Sequence, residues 1–313
     1  MKYAFAIIVT VFNLTTIPAI AENIKTHSIK HLFDIKGKSS SPLILPTDIA
    51  VQNDRVYVVD SGNHRIQVFD MDGDAEFIVG KEGIAKSEFR GPVGIDVDSD
   101  DRFYVADTGN HRVQVFDKGG KFLTAFDVTE NDKLIRPVDV SVHEKEKLVY
   151  VSGNNNHRIM GFSISGHLKR AWGQDGVETG EFRYPATMTL LRKTRLAVVD
   201  VLNSRVQLFN PKGKEAFEVG GWGVLPGQLF RPKGIATDSN NFIYVSDSYM
   251  GVIQAFTDTG KFIAVMGDKG KPRVLQTPSG IAIDKNNRLY VAEMLSNKVS
   301  VWQIESYPAG AGK

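Results

Sequence analysis

From about residue 46 onward the chain is written in short runs dominated by Val, Ile, Tyr and Phe, each ending in a cluster of Asp, Asn and Gly. Val56-Tyr57-Val58-Val59-Asp60 and Phe103-Tyr104-Val105-Ala106-Asp107 are two such runs, and Ile243-Tyr244-Val245-Ser246-Asp247 and Leu289-Tyr290-Val291-Ala292-Glu293 repeat the form. Another type begins with a cation: Arg65-Ile66-Gln67-Val68-Phe69, Arg112-Val113-Gln114-Val115-Phe116 and Arg205-Val206-Gln207-Leu208-Phe209. A further type closes each unit, as in Lys121-Phe122-Leu123-Thr124-Ala125-Phe126 and Lys261-Phe262-Ile263-Ala264-Val265-Met266. β-Branched and aromatic runs bounded by turn residues predict strands. No segment beyond the first residues sustains a helical period.

The runs recur with a fixed spacing. Prolines stand at Pro46, Pro92, Pro137, Pro185, Pro232 and Pro278, separated by 46, 45, 48, 47 and 46 residues. Each opens a similar string, such as Val93-Gly94-Ile95-Asp96-Val97 or Ser279-Gly280-Ile281-Ala282-Ile283. Four short antiparallel strands per repeat, six times over, predict an all-β six-bladed propeller with blades starting near 46, 92, 137, 185, 232 and 278. The last repeat supplies only three strands. A fourth is expected from residues 31–37, which resemble 261–267 and would pair with the strand near 299–302, closing the ring and covering an exposed edge.

The repeat itself resembles the NHL repeat. Blade 2 carries it almost whole, from Pro92 through Asp107-Thr108-Gly109-Asn110-His111-Arg112 to Phe116, and blade 1 has Asp60-Ser61-Gly62-Asn63-His64-Arg65. Blade 3 keeps Asn156-His157-Arg158 but has Gly153 in place of Asp, blade 4 has Ser204 in place of His, and blades 5 and 6 depart most, at 248–252 and 294–298. The resemblance covers roughly residues 30–305 and implies a fold rather than a task, because this scaffold is reused for many functions.

The chain outside the repeats divides simply. Residues 1–21 read as a cleavable signal peptide: Lys2, an apolar stretch, then Ala19-Ile20-Ala21 before polar Glu22. Residues 22–45 form an N-terminal segment containing the closing strand, 46–305 the propeller and 306–313 a flexible tail. A periplasmic or secreted location is therefore expected, in a chain that does not span a membrane. Zero cysteines exclude disulfides, thiolate metal sites and a Cys nucleophile. The near balance of 38 Lys+Arg against 36 Asp+Glu gives a net charge of +2 and argues against a nucleic-acid partner.

Candidate chemistry follows from strand parity. The connections leading into each proline and the turns between second and third strands share one face, here termed the loop face, which is the default place for binding residues. Arg90, Arg136, Arg183 and Arg231, with Lys233, are candidates for a basic collar on it. Trp222, Tyr249, Met250 and Met294 are candidates for an apolar contact patch. The repeated His64, His111 and His157 lie too far from the axis, and from one another, to share a metal, and read as turn residues. No cofactor is expected; the alternative is an axial divalent cation on Asp48 and Asp139, although these stand two blades apart. The leading expectation is an exported, non-catalytic, monomeric ring that binds a protein or peptide partner through the loop face. The second is a metal-dependent small-molecule enzyme of lyase or lactonase type with an axial site.

Overall fold

A computed structural model describes residues 24–305 except 192, 193, 211, 215 and 216. The expected signal peptide at 1–21 and tail at 306–313 lie outside the described residues. Six sheets follow one another along the chain, each built on four antiparallel strands, and the fifth carries further short strands at its outer edge. Five of the innermost strands begin at the repeat proline: Pro46–Gln52, Pro137–His143, Pro185–Leu191, Pro232–Thr237 and Pro278–Ile283. In blade 2 the inner strand is shorter, Ile95–Val97. Proline suits this place because the start of an edge strand needs no N–H for the ladder.

Second strands such as Arg55–Asp60 and Phe103–Asp107 are buried along almost their whole length. They read as continuous apolar runs because each sheet is sandwiched between two neighbours. Outer strands alternate instead, as in Ala75–Val79, where one face meets solvent. The buried side chains fall into separate clusters that each join two consecutive blades. Tyr57, Phe89 and Phe103 join blades 1 and 2, Tyr104 and Val149 blades 2 and 3, and Tyr150 and Leu196 blades 3 and 4. Val206 and Ile243 join blades 4 and 5, Tyr244 and Leu289 blades 5 and 6, and Val56 and Tyr290 blades 6 and 1. The last pairing is the packing signature of a closed ring.

The N-terminal strand completes blade 6. Ile29–Ile35 lies antiparallel to Lys298–Ile304, with Phe33 opposite Val301 and Ile35 opposite Val299. The strand sits two residues earlier than the sequence suggests, because Gly37 turns the chain (φ +76°) into a short hairpin with Ser41–Pro42. One feature was not anticipated: Thr26–His27 adds a fifth strand to blade 5, parallel to Phe262–Asp268. The N-terminal segment therefore ties the outer edges of two blades. Among the described residues no helix is long and apolar enough to cross a membrane.

Candidate functional site

The loop face is built on a repeated buried carboxylate. Asp107, at the end of its second strand, accepts hydrogen bonds from Arg90 N (2.8 Å), Asn110 Nδ2 (2.9 Å), Arg112 Nε (2.8 Å) and Gln114 Nε2 (3.1 Å). Asp60 takes Ile44 N, Asn63, Arg65 and Gln67, and Asp200 takes Arg183 N, Asn203, Arg205 and Gln207 in the same way. One fully buried carboxylate thus holds the turn, the next strand and the incoming interblade connection, and its charge is met by a guanidinium and several donors. Blade 3 has Gly153 there, and Glu130 from the preceding connection pairs with Arg158 at 3.0 Å and Asn156 at 3.2 Å, while Asn155 Oδ1 accepts Arg136 N. Two of the three turn histidines serve the same scaffold, whereas among the described residues His111 Nδ1 has no hydrogen-bond partner. His64 Nδ1 accepts from Gly91 N at 2.8 Å and His157 Nδ1 from Tyr184 N at 3.3 Å, each latching a turn to the next connection.

Three interblade connections share a form that the sequence reading did not single out: Gly80 to Pro92, Gly173 to Pro185 and Gly220 to Pro232. In each, a fully buried side chain (Phe89, Phe182 or Leu229) plugs the seam. An upstream bridge pins it: Glu82 with Phe89, Asp175 with Phe182, and Trp222 with Leu229. Gly80, Gly173 and Gly220 have φ of +100°, +92° and +86°, and a Cβ at any of them would collide with the plug. The loop tips then face solvent with apolar side chains, Ile84, Val177 and Val224.

The expected collar and patch residues are distributed unevenly. Arg90, Arg136, Arg183 and Arg231 are all exposed, one ahead of each of blades 2 to 5, so they stand around the rim rather than converging. Among the described residues Arg183 reaches Asp175 at 3.6 Å, while Arg90, Arg136 and Arg231 make no ion pair. Lys233 is accessible, and the surrounding protein, followed by the charge of Arg231, lowers its ammonium pKa. The aromatic part does assemble. Phe230 lies between Trp222 (ring centroids 6.4 Å) and Tyr249 (4.5 Å), and the Arg231 guanidinium sits 5.7 Å over Phe230. Trp222 is 74% and Tyr249 71% exposed. Met250 and Met294 are half-buried beside their own turns, with Leu295 exposed next to Met294.

On the axis the structure brings Asp48 and Asp139 together although they stand two blades apart, with blade 2 between them. Gly94 lies between them: a Cβ there would collide with the Asp139 carboxyl, and one at Gly280 with that of Asp48. Both carboxyls also stitch neighbouring inner strands, Asp48 Oδ2 accepting Ile95 N at 3.0 Å and Asp139 Oδ2 accepting Met188 N at 2.6 Å. Asp96, which the sequence reading left out, does the same for Val142 N at 2.7 Å. Burial pushes Asp48 up to about 7 and Asp96 up to about 6. Burial, then the charge of Asp48, raises Asp139 well above the usual carboxylate range. A cavity of about 710 Å³ occupies the axis. Its lining runs from Asp48 and Asp139 to Ser99, Glu144 and Lys145 in the turns after the inner strands, so it opens on the face opposite the loop face. Among the described residues no group of three or more His, Cys, Asp or Glu is placed to hold a metal ion.

Residues 43–69 and 89–116 match the model of the NHL repeat. Among curated proteins, RING finger protein nhl-1 of Caenorhabditis elegans is 34% identical over 107 residues, 33% of this chain and 11% of that protein. Human E3 ubiquitin-protein ligase NHLRC1 is 25% identical over 118 residues, 38% of this chain and 28% of that protein. Protein brain tumor of Drosophila melanogaster is 29% identical over 98 residues, 31% of this chain and 10% of that protein. The match thus spans under a third of each relative. Among solved structures, a streptogramin B lyase superposes with a TM-score of 0.63 at 15% identity, covering 88% of this chain and 98% of that one. Virginiamycin B lyase of Staphylococcus aureus gives 0.60 at 14% identity, covering 88% and 99%. At such identities these neighbours speak to fold alone. The chain is an all-β six-bladed propeller that carries NHL repeats.

Proposed function

We propose that the protein is an exported, non-catalytic scaffold that binds a protein or peptide partner through its loop face. The observation that carries this reading is the Trp222–Phe230–Tyr249 cluster, in which Trp222 and Tyr249 are exposed on either side of a half-buried Phe230, with Arg231 and Lys233 beside it. Large aromatic side chains and arginine are the residues that dominate partner binding energy, and leaving them in water on rigid loops has no use in the fold itself. The cations favour a segment that carries carboxylates beside an apolar or aromatic anchor. The test is selection from a displayed random peptide library on the full protein. Acidic sequences with an aromatic anchor are expected, with at least tenfold weaker binding to a Trp222→Ser/Tyr249→Ser variant that melts normally. Peptides of no common character, or binding indifferent to both substitutions, would overturn it. Export is tested separately by N-terminal sequencing of the protein from its native host, with Glu22 expected as the first residue.

A metal-dependent lyase or lactonase is the second reading, favoured by the carboxylates in the axial cavity. It requires a divalent ion bound in stoichiometric amount, which elemental analysis of the purified protein reads directly.

A further inference from the structure

On the side away from the loop face, the axial cavity has chemistry of its own. It has the volume of a small-molecule site. Its walls interleave aliphatic side chains, among them Ile49, Val140, Leu190 and Ile283, with the hydroxyls of Thr187, Thr189 and Thr237. Its floor is acidic. Asp48 and Asp139 meet there, Asp96 stands beside them, and among the described lining residues Lys145 is the single cation, placed with Glu144 in a turn at the mouth. Asp139 is 2% exposed, and its Oδ1 atom has no hydrogen-bond donor, so a proton held against Asp48 is what satisfies it.

We propose that this cavity binds a small organic ammonium ion, its alkyl body against the aliphatic side chains of the walls and its N–H groups on the Asp48–Asp139 floor. An ammonium supplies several donors and one positive charge, and so can take the place of the proton on which this floor of carboxyls otherwise depends. A hydrated metal ion takes six or more oxygen ligands, and among the described residues no group of three or more acidic or histidine side chains is placed to supply them. Entry of the cation displaces the proton shared by the two carboxyls to solvent, so the net charge of the floor and its guest is unchanged. Binding and proton release are therefore linked. Asp48, Asp96, Asp139, Glu144 and Lys145 are the charged groups lining the space, and His143 closes the same inner strand beside Tyr150.

The experiment is calorimetric titration of the full protein with n-butylammonium chloride, in two buffers of different ionisation heat, from pH 5.5 to 8.5. The expected result is one site with proton release at the acid end of this range. There affinity rises up to tenfold per pH unit, and the dependence flattens once the free floor has lost the shared proton. Sodium butyrate is expected to bind at least tenfold more weakly. Asp48→Asn/Asp139→Asn keeps the acceptors for Ile95 N and Met188 N, and should bind at least tenfold more weakly with a flat pH profile. Should that variant not fold, Ile283→Trp, which fills the cavity, is read instead and should abolish binding. Butyrate binding as well as the amine, amine binding without proton release, or calcium chloride giving the saturable heat while the amine gives none, would each overturn the proposal. None of these outcomes bears on the loop face, which the peptide selection tests alone.

Discussion

In every blade but the third a buried carboxylate ends the second strand and organises the loop face, and removing one exposes its role. Asp107→Ala would leave Arg112, Gln114 and the Arg90 N–H without their acceptor in a buried place. The expected loss is about 3 kcal/mol, read from the denaturant midpoint at unchanged slope. Glu130→Ala should act similarly in blade 3, since it does there the work of the missing Asp. The repeat made the Asp, Asn, Arg and Gln positions legible in the sequence, but not their common partner, because what they share is a carboxylate buried by the fold. The axial pair shows the same limit. Standing two blades apart argued against contact, yet Gly94, visible at the equivalent position, is what leaves room for Asp139 to reach Asp48.

The same pair gives the fold a pH dependence. With Asp48 raised to about 7 and Asp139 also raised, the folded state holds protons that the unfolded chain has already released above about pH 4. Stability is therefore greater on the acid side and falls as pH rises toward 7, by at most about 1.4 kcal/mol per pH unit for each proton. The melting temperature is expected to be lower at pH 8 than at pH 5.5, and Asp48→Asn/Asp139→Asn to flatten the slope. A melting temperature that climbs steadily over this range would contradict the assignment.

Among the elements, the closing strand carries the most weight for its length. Ile35 is buried in the seam between blades 6 and 1, so Ile35→Ala should cost about 2–5 kcal/mol. Deleting residues 24–37 should lower the melting temperature far more, because it bares the edge of Lys298–Ile304 and removes the parallel strand from blade 5. An unchanged melting temperature would contradict the closure. The strand was legible because 31–37 resemble the outer strand of a complete repeat. The additional Thr26–His27 strand was not, since two residues carry no pattern and only their arrival at the edge of blade 5 pairs them. The three plugged connections were legible in retrospect. Their shared glycine and buried Phe or Leu recur in only half of the seams, so they form no six-fold pattern along the chain.

At the scale of the whole molecule, six sheets meet at six apolar seams, and the ring presents two unlike faces. The loop face carries exposed aromatic and basic side chains; the opposite face carries the mouth of an acidic cavity. Strand parity predicted which loops share a face. It could not say on which side the axis stays open, because that depends on side chains at the second position after each proline. The division between faces is what the functional account rests on. Hydrogen–deuterium exchange of the full protein, with and without a peptide selected on it, locates the contact directly. Slowed exchange in residues 220–233 and 248–251 is the predicted result. Slowing confined to the turns at 98–101 and 144–147, or no slowing at a saturating peptide concentration, would contradict the assignment of partner binding to the loop face.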